Sequence, residues 1–191
     1  MTHDKPVNWI RFNIYPDGGV ARLRIYGSPA KNNADNRKDM FEVSSVMSGA
    51  QILAFSDAHY GSLWSLIYPD EAQNMGDGWE TRRRREPGSD WLIIKLGERA
   101  ELSSGVVDTA FFKGNFPASF SLQAIDVSEQ PIESLIAQSL YWPQIHPGFA
   151  LSAHKKHEFN LDQSFTATHI RLNIFPDGGV ARFRLFGKAA K

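Results

Sequence analysis

Ile10–Gly27 reads IRFNIYPDGGVARLRIYG and Ile170–Gly187 reads IRLNIFPDGGVARFRLFG, so one eighteen-residue unit occurs twice, 160 positions apart. The copies differ only at Phe12/Leu172, Tyr15/Phe175, Leu23/Phe183, Ile25/Leu185 and Tyr26/Phe186, where apolar or aromatic side chains are exchanged, while every Arg, Asn, Asp, Pro and Gly is kept. Ile10, Phe12 and Ile14 alternate with Arg11, Asn13 and Tyr15, a period of two that puts the aliphatic set on one face of a strand. Pro16-Asp17-Gly18-Gly19 supplies turn chemistry, with Pro setting φ and the Gly pair free to take positive φ. Val20–Tyr26 then leads back with Arg22 and Arg24 on one face and Ala21, Leu23 and Ile25 on the other. Each copy is therefore expected to be a two-stranded hairpin. Arg22/Arg182 and Arg24/Arg184 read either as a solvated sheet face or as a basic wall that recognises an anion. A repeat distance of this size is too long for a solenoid and suits duplication of a whole domain.

Outward from these copies, Gln51–Phe55, Trp91–Leu96, Gly105–Phe112, Ser119–Val127 and His169–Phe175 are short β-branched or aromatic segments separated by turn residues. That spacing argues for an all-β sandwich. Pro131–Leu140 (PIESLIAQSL) has helical spacing at Ile132, Leu135 and Ile136 and is expected to be one short helix on a connection. Ser28–Lys38 (SPAKNNADNRK) is polar and reads as a linker. Three units follow: residues 1–27 as the closing hairpin of a preceding repeat, 28–38 as a linker, and 39–191 as a complete repeat.

Composition excludes several classes of function. The chain has 191 residues with 21 basic and 21 acidic side chains, so no bulk charge favours nucleic acid or an anionic membrane. It has no cysteine, which removes disulfides, thiolate zinc sites and cysteine nucleophiles. No signal peptide is evident and no apolar run approaches the roughly 20 residues of a membrane span. A soluble, cytoplasmic protein is expected. No GxSxG and no phosphate-cradling Gly loop occurs, leaving general acid/base catalysis as the enzymatic option.

Two stretches carry polar chemistry. Gly76-Asp77-Gly78-Trp79-Glu80-Thr81 runs into Arg82-Arg83-Arg84-Arg85, followed by Gly88-Ser89-Asp90-Trp91. Guanidinium groups pair with carboxylates, Trp79 offers a flat wall, and a buried Glu80 would be an acid or base. In an extended run, Arg82 and Arg84 point one way and Arg83 and Arg85 the other, so only one pair faces a site. A surface charge run knitted to Glu80, Glu86 and Asp90 is the alternative. In Val107–Pro117 (VDTAFFKGNFP), Asp108 ends an apolar strand, where a carboxylate needs a partner or a task. Lys113 and Asn115 flank a Gly that lets a ligand approach, whereas Asp108 and Thr109 otherwise satisfy backbone donors at a strand end. His154, His157 and Glu158, and Asp57 with His59, are metal-ligand types without a recognised metal spacing, so neither metal nor cofactor is expected.

FSDAHYG (55–61), MGDGWETRRRREPGSDW (75–91), VDTAFFKGNFP (107–117) and both NI[YF]PDGGVAR segments resemble the allantoicase family in order and spacing over nearly the whole chain. Where Ser89 and Phe111 stand, the family pattern often has His. The resemblance implies a fold of two similar repeats, each a jelly-roll β-sandwich of the galactose-binding-domain-like type. This chain would then hold the last strands of the first repeat and all of the second. It also implies hydrolysis of allantoate to ureidoglycolate and urea; residue type and motif position then make Glu80 and Asp108 the catalytic candidates. Trp79, Arg82, Arg84, Asp90, Thr109, Lys113 and Asn115 are the substrate-binding candidates. Since most of the first repeat would be absent, a homo-oligomer or a partner chain carrying that repeat is expected. A jelly-roll module binding a small anion or sugar without turnover is the competing expectation.

Overall fold

The computed structural model describes residues 5–27, 30 and 39–190. Among the described residues nine strands and one α-helix form in the order β1 (Phe41–Glu42), β2 (Gln51–Phe55), β3 (Trp79–Glu80), β4 (Asp90–Asp108), β5 (Ser119–Ile125), α1 (Ile132–Ser139), β6 (Gln144–His146), β7 (Lys156–Phe175), β8 (Gly179–Val180) and β9 (Arg182–Ala189). Two of these dominate. β4 has 19 residues and β7 has 20, and they run antiparallel along their length with register breaks between Lys95 and Ala100 and between Leu102 and Ser104. Before the breaks, β4 also pairs with β2, and β7 with β5, which carries β6. From Ala100 onward, β4 pairs with β9, which carries β1. The two long strands therefore pass from one layer to the other, β2-β4-β7-β5-β6 and β1-β9-β4-β7, the jelly-roll β-sandwich expected above. Within the bend, Gly97 lies so close to the Ser48 carbonyl that a Cβ would overlap it.

One core joins both layers. Leu92, Ile94, Leu122, Ile170 and Leu172 from the first meet Leu102, Val107, Phe183 and Leu185 from the second, all fully buried. The alternation of two places their neighbours Ile93 and Arg171 on the outer face, where α1 covers them with Leu135 beside Trp142. Arg171 is buried there and lies 4.4 Å over the Trp91 ring. Its Nε donates to Asn173 Oδ1 at 2.8 Å and its Nη1 to Ser139 Oγ, while Asn173 donates to Ser121 and Gln123.

The strands are longer than their apolar patterns. Trp91–Leu96 and Gly105–Phe112 belong to a single β4 that stops at Asp108, and β7 begins at Lys156, thirteen positions before His169. Much of Lys156–Thr168 is exposed, so it carries little apolar signal, and ladder bonds to β4 hold it. The helix falls where its spacing places it, at Ile132–Ser139.

The repeated unit corrects the hairpin expectation. In the second copy β7 and β9 do not pair with each other; both pair with β4, which lies between them. The turn leads into β8, which pairs with β3 in a separate two-stranded sheet. Turn chemistry dictates a local reversal but not which strand fills the gap. In the first copy the same turn forms, with φ of 127° at Gly18 against 131° at Gly178. No strand forms in residues 5–27, all of which are exposed. Ile10, Phe12 and Ile14 are 55%, 53% and 42% exposed, whereas Ile170, Leu172 and Ile174 are completely buried. A strand needs a partner for its ladder, and both edges of β4 along its second half are taken by β7 and β9. The expected linker 28–38 lies, apart from Ala30, outside the described residues.

Candidate functional site

The site is built where residues 56–61 meet residues 79–84. β3 is too short to hold itself, and the loop before it is tied on by backbone donors. His59 and Tyr60 N–H groups donate to the Glu80 carbonyl at 2.9 and 3.2 Å, and Trp79 Nε1 donates to the Asp57 carbonyl at 2.8 Å. From the other side, Thr81 N–H donates to the Gly178 carbonyl, and the Thr81 hydroxyl accepts from Gly178 N–H. Gly179 faces the ring of Phe112 so closely that any Cβ there would collide with it.

Behind this seam the loop 69–78 is anchored by the repeat's arginines. Arg182 is fully buried; its Nε donates to the Asp70 carbonyl, Nη1 to the Asp77 carbonyl, and Nη2 to the Asp77 carboxylate at 3.0 Å. Arg184 pairs with Glu42 at 2.8 Å and donates to the Pro69 and Asp70 carbonyls. Arg182 and Arg184 thus form neither a solvated face nor an anion-recognising wall, because protein carbonyls and carboxylates use their donors. Burial alone would raise the Asp77 carboxyl, but the bonds from Arg182 and Gln73 outweigh it and hold the group below its ordinary value.

A cavity of about 200 Å³ opens beside the seam, lined by Ser56, Asp57, Arg82, Arg83, Arg84 and Asp90. Arg82 sends its backbone N–H to Asp57 Oδ2 at 2.7 Å and its Nη2 to Asp57 Oδ1 at 3.0 Å. Burial pushes the Asp57 carboxyl up, yet these bonds and the Arg82 charge leave it below its usual value. Arg84 donates from its backbone to Asp177 Oδ2 and from Nη2 to the Ser89 carbonyl and Asp90 Oδ1. The Ser56 hydroxyl donates to the same Asp90 oxygen at 2.9 Å. Arg84 Nε is buried without a partner, and Arg83 has neither an ion pair nor a hydrogen bond among the described residues. Arg82 and Arg84 turn to Asp57 and Asp90, while Arg83 between them makes no such pair; all three residues line one cavity.

A second cavity, of about 310 Å³, is lined by Tyr60, Gly61, Met75, Gly76 and Glu80. Glu80 is 8% exposed, and its Oε1 accepts the side-chain amide of Asn115. The Asn115 carbonyl also accepts from Gly179 N–H at 2.7 Å, which fixes this residue against the turn of the repeat.

The remaining candidates have different surroundings. Trp79 is completely buried and presents no ring face to either cavity, because its indole packs in the core; the flat-wall expectation is corrected. Asp108, 2% exposed, lines neither cavity; Oδ1 accepts from Ala110 N–H at 2.8 Å and Oδ2 is buried without a partner. Burial raises its carboxyl above the ordinary range, against the lowering by the Ala110 bond and the Lys156 charge. Thr109 is fully buried and clasps the neighbouring loop: its hydroxyl lies 2.6 Å from the Ser152 carbonyl and accepts from Lys155 N–H at 3.1 Å. That leaves it no access to a ligand. Lys113 is exposed and lines neither cavity.

Glu80 with Asn115, and Arg82 with Arg84 and Asp90, are therefore brought together; Trp79, Asp108 and Thr109 support them from behind. Arg83, Ser56, Asp57 and Tyr60 were missed as site residues. Asp57 stood in FSDAHYG as a metal-type ligand, and an acid matched to the arginine run was the signal for its true partner. The His157 ring spends Nε2 on Ser152 and Nδ1 on the Val107 carbonyl, while His154 Nδ1 accepts from Phe111 N–H. Among the described residues no group of three His, Cys, Asp or Glu could hold a metal ion, and no helix is long and apolar enough to cross a membrane.

The allantoicase repeat family model matches residues 1–30 and 41–190. A probable allantoicase of Stutzerimonas stutzeri is 48% identical over 194 residues, covering 100% of this chain and 59% of the relative. One of Photobacterium profundum is 48% identical over 193 residues, covering 98% and 58%. The chain thus spans under two thirds of these curated relatives. Among solved structures, Saccharomyces cerevisiae allantoicase superposes with a TM-score of 0.68 at 33% identity, over 78% of this chain and 43% of that one. A family 32 carbohydrate-binding module from C. perfringens, solved with galactose, superposes at 0.57 with 13% identity over 78% and 99%, which shows a shared galactose-binding-like fold alone.

Proposed function

The chain belongs to the allantoicase family, and from that premise we propose that it serves the hydrolysis of allantoate and water to ureidoglycolate and urea, a step of purine (allantoin) breakdown. The observation that carries the reading is buried Glu80, held by Asn115 and lining one cavity, on the same segment as the arginines that line another. Both lie along the 79–84 segment. Glu80 and Arg83 are three residues apart, at most about 10 Å between Cα atoms, and on this reading the two cavities serve one small ligand. Cavities for drug-sized molecules run from roughly 300 Å³ upward, so this pair suits a small metabolite.

In the reaction the bond from the central carbon to one ureido nitrogen breaks and a bond to water oxygen forms. The leaving nitrogen takes a proton and becomes urea; water's other hydrogen stays on the new hydroxyl. Glu80 is the group we assign to proton delivery, with Asn115 holding its carboxyl in place and offering amide chemistry to a ureido arm. Asp108 acts at one remove: its bond to Ala110 N–H starts the loop that delivers Asn115. We assign Arg82, Arg84 and Asp90 to the wall of the carboxylate end.

The relatives are longer than this chain, so full activity is proposed for the chain in a homo-oligomer or beside a polypeptide supplying the rest of the repeat pair, in the cytoplasm. Purified protein given allantoate should release urea, measured by a coupled urease assay. Allantoate binding without urea release would instead identify a binding module.

A further inference from the structure

The arginine-rich cavity carries a charge that its own walls leave unmatched. Three arginines and two aspartates line it. Asp57 is paired with Arg82 at 3.0 Å and Asp90 with Arg84 at 3.4 Å. Arg83 is left over, with no ion pair or hydrogen bond among the described residues, and Arg84 Nε is a buried donor without an acceptor. The paired arginines are held in place by backbone bonds as well, from Arg82 N–H to Asp57 and Arg84 N–H to Asp177, so the segment that presents Arg83 is fastened on both sides. A cavity fastened by backbone bonds and left with one spare cation is complementary to a single negative charge such as a carboxylate.

We propose that Arg83, rather than the paired Arg82 or Arg84, is the specificity-determining residue that reads the ligand's carboxylate. This rests on the allantoate reading of the site. Arg82 and Arg84 are spent on the protein, and an anion competing for either would leave Asp57 or Asp90 uncompensated in a partly buried site. Because the carboxylate does not react, Arg83 contributes equal binding in the ground and transition states and acts on KM rather than kcat.

The test uses the full chain with Arg83→Gln and, as a charge-matched control, Arg85→Gln, an exposed neighbour that lines neither cavity. Urea release and calorimetric binding are measured with allantoate and with its primary amide, which lacks the charge. Arg83→Gln should raise KM and Kd for allantoate about 10- to 100-fold, the range of one charge-assisted contact, with kcat within about threefold. It should leave Kd for the amide unchanged, and Arg85→Gln should change neither. Equal losses on both compounds, or none on allantoate, would overturn the assignment while leaving the allantoate reading standing. Wild-type protein that neither binds nor cleaves allantoate would overturn both.

Discussion

Arg182 reaches across 105 residues to Asp77 with two donors, Nη1 to its carbonyl and Nη2 to its carboxylate, from a position with no solvent exposure. Its twin Arg22 is exposed and in no strand. The shared PDGGVAR segment thus performs a structural task in one place and, among the described residues, none in the other. Arg182→Ala should destabilise the fold by about 2–4 kcal/mol, the scale for charged hydrogen bonds and a broken buried pair. Arg22→Ala should change it by under about 0.5 kcal/mol. Chemical denaturation of the two variants makes the comparison.

Leu172 and Phe12 form the apolar counterpart. Leu172→Ala removes a fully buried side chain between β4 and β5 and should cost about 2–5 kcal/mol. Phe12, 53% exposed, contributes to neither core cluster, so Phe12→Ala should leave the unfolding midpoint where it is. A matching loss in both variants would mean that residues 10–27 pack on the core in solution.

Asp108 sets a pH dependence. Its carboxyl is raised by burial, so folding favours the protonated form, and the ionised group disfavours the fold at neutral pH. Asp108→Asn keeps the acceptor for Ala110 and removes the charge. The variant's unfolding midpoint should exceed wild type at pH 7, with the gap closing as the pH falls through the raised value to the ordinary 3.8. Asp57 and Asp77 act in the opposite sense: both are lowered, so the stability they supply is present above 3.8 and lost as pH falls through their lowered values. Thermal scans from pH 3 to pH 8 separate the two contributions.

Glu80→Gln tests the chemistry with little change of shape. The amide oxygen still accepts from Asn115, so the fold should persist, while urea release should fall by about 10²–10⁴, the usual contribution of a general acid or base. An unchanged rate would remove Glu80 from proton transfer.

Much of the scaffold could be read from residue order. β2 and α1 lie where their patterns place them, and the alternation in Ile170–Ile174 marks a half-buried strand. Their partners were not legible. The repeated PDGG turn looks like a hairpin, yet β4 separates the strands on either side. The arginine run was read by strand alternation, which names no partners; that Asp57 takes Arg82 and Asp90 takes Arg84 depends on chain closure. Trp79 looked like a ligand wall because composition cannot say which side of a two-residue strand meets the core.

Sequence by itself determined the all-β class, the identical turns, the family, and the acids and arginines available for chemistry. These follow from side-chain periodicity and backbone preference, which act within a few residues. Tertiary structure decided which copy of the repeat is buried, which arginines are consumed by Asp57, Asp70, Asp77 and Asp90, and that Glu80 meets Asn115. Those outcomes depend on charges and hydrogen-bonding groups brought together from distant positions. The pairing of a buried donor is settled only when the chain has closed around it.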